Sequence, residues 1–269
     1  MRGGWLSVLK DAAAEVRRAI KPLIGSRESG EVVGLGAGGG FSKYIDIVAE
    51  RAVVEYVDRS SIPCVLVSEE SGVKRIGEGE PEVYLILDSV DGTTNAVRGI
   101  NFISTSIAAS PTDKFNDVEA AVVMRLDDGG VYTAEKGGGA KYNDADIQPS
   151  DVRVLNKAVI SVELSRSPGN IDRVVPVLKE AKSVRSLGSG ALEICHVASG
   201  QLDAYVDVRR MIRTTDIAAA TLIIKEASGV ILKPNGEPLD NVQLTRLERF
   251  SLIAAANTEL FNQIASLLR

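Results

Sequence analysis

The stretch LILDSVDGTTN, Leu85 to Asn95, sets two carboxylates, Asp88 and Asp91, three residues apart behind an apolar run and ahead of a Gly-Thr pair. An Asp at a strand end and a second in the following turn can converge, with the Val90 carbonyl between them, on one point beyond the sheet. Hard divalent cations such as Mg²⁺ take oxygen donors of this kind and keep part of their water. Gly92 lets a backbone come close, and Thr93 adds a hydroxyl and an amide; where a helix starts here, its free N–H groups can hold a phosphate beside the metal. Carboxylates, metal and phosphate together point to phosphoryl chemistry. The plainer alternative is an Asp-rich turn in which Asp91 or Thr93 caps a helix. Two further features shift the balance: Glu69 and Glu70 close the neighbouring run IPCVLVS, and TTDIAAATLII sets Asp216 at the head of an apolar helix. Each has a structural reading of its own, a solvated strand end and another cap, but the three together fit a site better.

The elements that must position these acids follow from periodicity. Helical spacing runs from Trp5 to Ile24, a Gly-rich break follows, and a second helix covers Ser42 to Val57. Ile62 to Ser68 and Val83 to Asp88 read as strands that deliver acids at their carboxyl ends. NFISTSIAA, VEAAVVMRL and GVYTAEKGGGA read as successive strands of a largely antiparallel sheet, closing an α+β half near Pro149. The remainder alternates: strand VLNKAVISVEL, a helix from Asn170 to Lys182, strand SVRSL, helix GALEICHVASG, strand LDAYVDV, helix TDIAAATLIIKEASG, strands VILKP and SLIAAA, and a final helix to Leu268. Such alternation predicts an α/β half with helices covering a sheet. The division is 1–150 and 151–269, two packed halves without a flexible linker.

Composition bounds the rest. At 269 residues, 45% hydrophobic and 25% charged, the chain is long and apolar enough to bury a real core. A net charge of -5 argues against a general nucleic-acid binder, though it leaves room for a local basic pocket. Cys64 and Cys195 lie in apolar runs without CxxC or His spacing and read as buried thiols, which implies a reducing, cytoplasmic setting. Charges at Lys10, Asp11, Glu15, Arg17 and Arg18 interrupt any signal-peptide core or membrane span in the first helix.

SEESG, LILDSVDGTTNAVRGINF and TTDIAAATLIIKEASGVI resemble the three metal-binding motifs of the inositol monophosphatase superfamily of magnesium-dependent, often lithium-sensitive phosphatases. The resemblance extends to SKYIDIVAE, YTAEKGGGAKYND and LGSGALEICHVASGQLDAYVD. SKYID and YVDVRRMIRTTD are most similar to the archaeal members that act on inositol-1-phosphate and, in many cases, fructose-1,6-bisphosphate. This resemblance implies a sugar-phosphatase fold in alternating αβαβα layers, acting as a homodimer on a small phosphorylated polyol or sugar. It implies that Glu69, Asp88, the Val90 carbonyl, Asp91 and Asp216 hold two or three Mg²⁺ ions, with Mn²⁺ as an acceptable substitute, and that Glu70 sits just outside them. Asp46 would pair with Thr93 to orient and deprotonate the attacking water beside Glu69, and Gly92 and Thr93 would hold the phosphate. Gly188, Ser189 and Gly190 match a substrate loop, Asp207 takes the place of an acid facing a substrate hydroxyl, and Asp91 and Asp216 border the same ligand. Arg209, Arg210 and Arg213 form a basic cluster, either a solvated loop or a site for a second phosphate. Ser89, Ala96 and Thr215 depart from the family's Pro, aromatic and Trp, and Asp207 stands where inositol-preferring relatives commonly carry Glu at a shorter spacing. These departures remove no ligand but argue against strict inositol specificity.

Rival readings are weaker. A haloacid-dehalogenase mechanism needs a nucleophilic Asp at Ser89. Neither cysteine has an Arg five residues on, as a cysteine phosphatase requires, and the single His196 reads as structural. GLGAGG, Gly34 to Gly39, satisfies GxGxxG and would make a nucleotide-binding module, but the run before it is short and the alternative is a Gly-rich hairpin. Within the superfamily, a 3'-phosphoadenosine 5'-phosphate phosphatase is the competing enzyme.

Overall fold

A computed structural model describes residues 4–165, 171–246 and 248–268. The chain begins with helix α1 (Trp5–Ile20), whose apolar stripe of Leu9, Ala12, Ala13, Val16 and Ile20 is buried. A short antiparallel hairpin, β1 (Val32–Leu35) and β2 (Phe41–Lys43), leads into α2 (Tyr44–Arg59). The GLGAGG stretch is the tip of that hairpin, with Gly36 N–H donating to Gly40 O at 2.9 Å. It is therefore a turn between antiparallel strands and not the strand-to-helix crossover of a dinucleotide fold, which removes the nucleotide-binding reading.

Eight strands follow in one sheet: β3 (Cys64–Ser68), β4 (Gly72–Ile76), β5 (Val83–Asp91), β6 (Ser104–Ser110), β7 (Ala120–Arg125), β8 (Val131–Glu135), β9 (Ala140–Tyr142) and β10 (Ala145–Asp146). Their order is β10-β9-β8-β7-β6-β5-β3-β4, antiparallel throughout except for the parallel pair β3 and β5. Helix α3 (Thr93–Arg98) follows β5 directly.

The second sheet is mixed and five-stranded, built from β11 (Val159–Val162), β12 (Ser183–Arg185), β13 (Ala204–Arg213), β14 (Val230–Leu232) and β15 (Arg249–Ala255) in the order β12-β11-β13-β15-β14. Four helices accompany it: α4 (Ile171–Glu180), α5 (Gly190–Ala198), α6 (Thr214–Glu226) and α7 (Thr258–Leu267). The start expected for α4, at Asn170, lies outside the described residues.

Strand alternation divides the core into layers. Leu66, Leu85, Leu87 and Val122 of the large sheet pack on α1 and α2 through Leu9, Val16, Ile45 and Val53. Val67, Ile86, Ala108 and Val123 point the other way, onto α5 and α6 through Ile194, Ile217 and Ile223, and those helices also cover Tyr205, Leu252 and Ala254 of the small sheet. The outer face of the small sheet, with Ile160, Val206 and Ile253, is closed by α4 and α7 through Val177, Leu260 and Ile264. The stack is helices, sheet, helices, sheet, helices, the αβαβα arrangement expected. No helix among the described residues is long and apolar enough to cross a membrane.

Candidate functional site

The two carboxylates of DSVD meet because of a defect in a strand. β5 does not stop at Asp88, as the sequence implies; it runs on to Asp91. Asp88 pairs with Ser106 and Asp91 with Ser104, so three steps on β5 oppose two on β6. In a regular strand, residues three apart face opposite sides; the extra residue of the bulge returns Asp91 to the side of Asp88.

Three other elements bring acids to the same place. Asp46 is the third residue of α2 and accepts from the Lys43 N–H at 3.1 Å. Asp216 is the third residue of α6 and accepts from the Arg213 N–H at 2.9 Å and the Thr215 hydroxyl at 3.1 Å. Both helices thus start with an acid folded back on its own N-terminus, a local preference of that position. Glu69 follows β3 and pairs with the Arg213 guanidinium at 2.5 Å. Glu70 accepts from the Ser42 hydroxyl, and burial raises its pKa.

The electrostatics are those of crowded negative charge that Arg213 only partly offsets. Burial, then Asp91, Asp216, Glu69 and Asp46 in turn, push Asp88 well above the usual carboxylate range. Burial is also the main cause for Asp91, opposed by the Ser189 hydroxyl, and for Asp216, where Glu69 adds to it. Asp46 is pushed up to about 7 by burial and by Glu70. Its Oδ1 is buried without a hydrogen-bond partner. Thr93 faces Asp46, yet its hydroxyl donates to the Val90 carbonyl at 3.0 Å.

This donor set suits a hard divalent cation. All the donors are oxygens, the acids repel one another, and an orphaned carboxylate oxygen stands in their midst. Among the described residues no three acids are already arranged to hold an ion. Glu69 is engaged by Arg213, and Asp91 accepts from the Ser189 hydroxyl at 2.7 Å and the Ala191 N–H at 2.8 Å.

The hairpin tip sits over these acids. Gly38 N–H donates to Glu69 O at 2.9 Å and Ala37 N–H to Glu70 O at 3.0 Å. A Cβ on Gly38 would lie 3.0 Å from Glu69 Cγ and 3.1 Å from Arg213 Cζ, so a larger residue would have to push these two side chains aside. Sequence reading offered this glycine run as a nucleotide fingerprint or a Gly-rich hairpin, and it is the hairpin; what it did not foresee is that the tip lies over the acids, for which the position just ahead of SKYID was the available signal.

On the other flank, Gly188, Ser189 and Gly190 form the entry to α5. Ser189 is fully buried, caps that helix by position, and joins Asp91 to the Ser104 hydroxyl, 3.1 Å away. Asn95 Nδ2 ties α3 to this loop, donating to Phe102 O at 2.9 Å and Leu187 O at 2.8 Å. Glu193, not foreseen, lies buried in α5, accepts from the Ser161 hydroxyl and from Leu187 N–H at 3.1 Å, and is raised to about 7 by burial. Its one signal was an acid inside the apolar run ALEICHVA.

The three arginines part ways. Arg209 clasps Asp207, with Nε 3.0 and 3.1 Å from its two oxygens, and also donates to Ser165 O at 2.9 Å. Asp207 is fully buried, so it can meet a substrate hydroxyl only if Arg209 lets go. Arg213 serves Glu69 and the Gly38 carbonyl. Arg210 alone turns outward, at a positive φ of 57°. His196 is a core residue: its ring stands edge-on to Phe102 at 5.3 Å, and burial lowers its pKa to about 4. Cys64 and Cys195 are buried free thiols.

Comparison with known proteins places the chain in a family. The model of the inositol monophosphatase family matches residues 5–269. A fructose-1,6-bisphosphatase/inositol-1-monophosphatase of Methanothermobacter thermautotrophicus is 37% identical over 98% of this chain and 96% of its own. A bifunctional NADP phosphatase/NAD kinase of Methanococcus maripaludis is 35% identical over 93% of this chain, which spans 47% of that relative's length. A solved inositol monophosphatase-fructose 1,6-bisphosphatase superposes with a TM-score of 0.85 at 30% identity, covering 99% of this chain and 100% of the other.

Proposed function

The chain belongs to the inositol monophosphatase family and is a phosphoric monoester hydrolase, and from that premise we propose that it is a Mg²⁺-dependent phosphatase of small polyol and sugar phosphates, inositol-1-phosphate and fructose-1,6-bisphosphate among them. The observation that carries this reading is the convergence of Asp46, Glu69, Asp88, Asp91 and Asp216, from four separate stretches of the chain, on one mutually repelling cluster. Glu69, Asp88, the Val90 carbonyl, Asp91 and Asp216 would hold the ions, two or three in number. When bound, such ions supply Lewis-acid stabilisation of the phosphoryl charge and an acidified water.

The chain's own residues do the rest. Asp46, with a free Oδ1 and a pKa near neutrality, takes the proton as a water oxygen bonds to phosphorus and the ester oxygen departs. Thr93 orients that water, and the backbone at Gly92 and Thr93 receives the phosphate. Ser189, anchored to Asp91, fixes the Gly188–Gly190 loop against the substrate, with Asp207 and Arg209 at its sugar side. The reading includes two halves, 1–150 and 151–269, and a homodimer without membrane partners; the acidic net charge supports the lack of a nucleic-acid partner, and the buried free thiols support a cytoplasmic setting.

Phosphate release from inositol-1-phosphate, fructose-1,6-bisphosphate and 3'-phosphoadenosine 5'-phosphate, with Mg²⁺ and with chelator, tests it. Chelator-sensitive release from the first two is expected. Silence on both from folded protein would overturn the reading, and preference for the third would move the chain to the nucleotide-phosphate branch.

A further inference from the structure

The loop that enters α5 is held by two side chains from different parts of the fold. Leu187 stands just ahead of the Gly188–Gly190 loop. Its N–H donates to Glu193 Oε1 at 3.1 Å, and its carbonyl accepts from Asn95 Nδ2 at 2.8 Å. Both bonds are made by side chains, so neither follows from the backbone pairing of a helix or a sheet.

Glu193 is fully buried; the oxygen that holds Leu187 also accepts from the Ser161 hydroxyl of β11, while Oε2 is buried without a hydrogen-bond partner. An acid half satisfied in the core costs stability that an apolar residue in the run ALEICHVA would not. Capping of α5 does not account for it. The donors a helix leaves free are those of its first turn, yet Glu193 reaches past them to Leu187, two residues ahead of the capping position at Ser189. What it holds is the loop.

Asn95 works from the other side. It is the third residue of α3, the helix that opens after Gly92, and its amide gathers two carbonyls, Leu187 O and Phe102 O. Gly92 lies against the same two segments, since a Cβ there would stand 3.1 Å from Gly188 O and from Phe102 O. With six residues, α3 is too short to hold itself, so bonds of this kind set its place. One amide thus ties the residues that receive phosphate to the loop that meets the rest of the substrate.

We propose that Glu193 and Asn95 are positioning residues for the substrate, clamping Leu187 so that the Gly188–Gly190 loop stands at a set distance from Gly92 and Thr93; the inference rests on the phosphatase reading above.

A split between KM and kcat in Mg²⁺ tests it on the full chain. Glu193→Leu and Asn95→Ala should each raise KM for inositol-1-phosphate about tenfold with kcat changed far less, because the loop serves bound substrate and transition state alike. The inhibition constant of inorganic phosphate, which needs Gly92 and Thr93 but not the loop, should stay within about twofold. Glu193→Gln, whose amide oxygen can accept both bonds at the same size, should return KM to near the wild-type value. Since both residues act through Leu187, the double variant should do little more harm than either single one. An unchanged KM in both single variants, an equal loss for substrate and phosphate, additive losses in the double variant, or a Gln variant as impaired as the Leu variant would overturn the proposal. Amide hydrogen exchange reads the clamp without any ester: Leu187 should exchange about tenfold faster or more in Glu193→Leu than in wild type or Glu193→Gln, with the amides of α1 unchanged. Silence of the wild type on every ester would be the failure of the phosphatase reading, and the exchange comparison would still decide the clamp, a difference supporting it and equal exchange in all three proteins overturning it.

Discussion

Asp88 and Asp216 are buried among like charges, and each is pushed toward its neutral form. Amidation of either removes one repelling charge without changing shape, so Asp88→Asn and Asp216→Asn should be at least as stable as wild type in chelator. Turnover in Mg²⁺ should nevertheless fall by more than the roughly 10–100-fold that loss of a supporting partner costs. Melting curves and phosphate-release rates check both halves, and wild-type rates would remove these residues from the ligand set. Glu193, outside the ligand set, gives a separate pH signature. Its folded pKa, about 7, lies above the unfolded 4.5, so the stability it contributes is whole below pH 4.5 and lost as pH rises through 7. Relative to Glu193→Gln, the wild type should lose roughly 2 kcal/mol between pH 5 and 8 in urea melts. A difference that stays flat with pH would mean that Glu193 keeps an ordinary carboxylate pKa in the fold.

At the scale of elements, the site depends on how β5, α3 and the entry to α5 are locked together. Gly92 sits at φ 92°, and a Cβ there would stand 3.1 Å from both Gly188 O and Phe102 O. Gly92→Ala should therefore cost about 1–3 kcal/mol in denaturant melts and raise KM by parting the two loops; an unshifted melt would show that the loops yield freely. Local signals made much of this legible. Apolar periodicity located the strands, and Asp216 announced the start of α6. What escaped was whatever depends on a distant partner. The bulge at Asp88 to Asp91 exists only against β6, so the DSVD stretch read as a strand end and a turn. LDAYVDV grew into the ten-residue β13 because β15 pairs along it. VLNKAVISVEL shrank to Val159–Val162 because Leu155–Lys157 curls into a 3-10 turn. The second helix starts at Tyr44, two residues later than its pattern implied, because Ser42 and Lys43 pair with β1.

At the scale of the molecule, the acid cluster is assembled across layers: Asp46 comes from an outer helix, Asp88 and Asp91 from the large sheet, and Asp216 from α6 between the two sheets. A cation held there would tie these layers together, so Mg²⁺ should act on global stability as well as on turnover. Binding to the folded state alone adds RT ln(1 + [L]/Kd), about 2.7 kcal/mol at a hundredfold excess over Kd. For a chain of this size that is roughly 5–10 °C in Tm. The increment has a sign with pH. The pKa values of Asp46, Asp88 and Asp216 are raised in the fold, so the stability these groups contribute is whole below the ordinary carboxylate range and is lost as pH rises through the raised values. Metal competes with protons for the same oxygens and regains more of that loss as pH climbs. The Tm difference between Mg²⁺ and chelator should therefore be larger at pH 8 than at pH 5.5, and Asp216→Asn should shrink it at both. A difference that ignores pH, or survives the substitution intact, would place the stabilising cation away from this cluster.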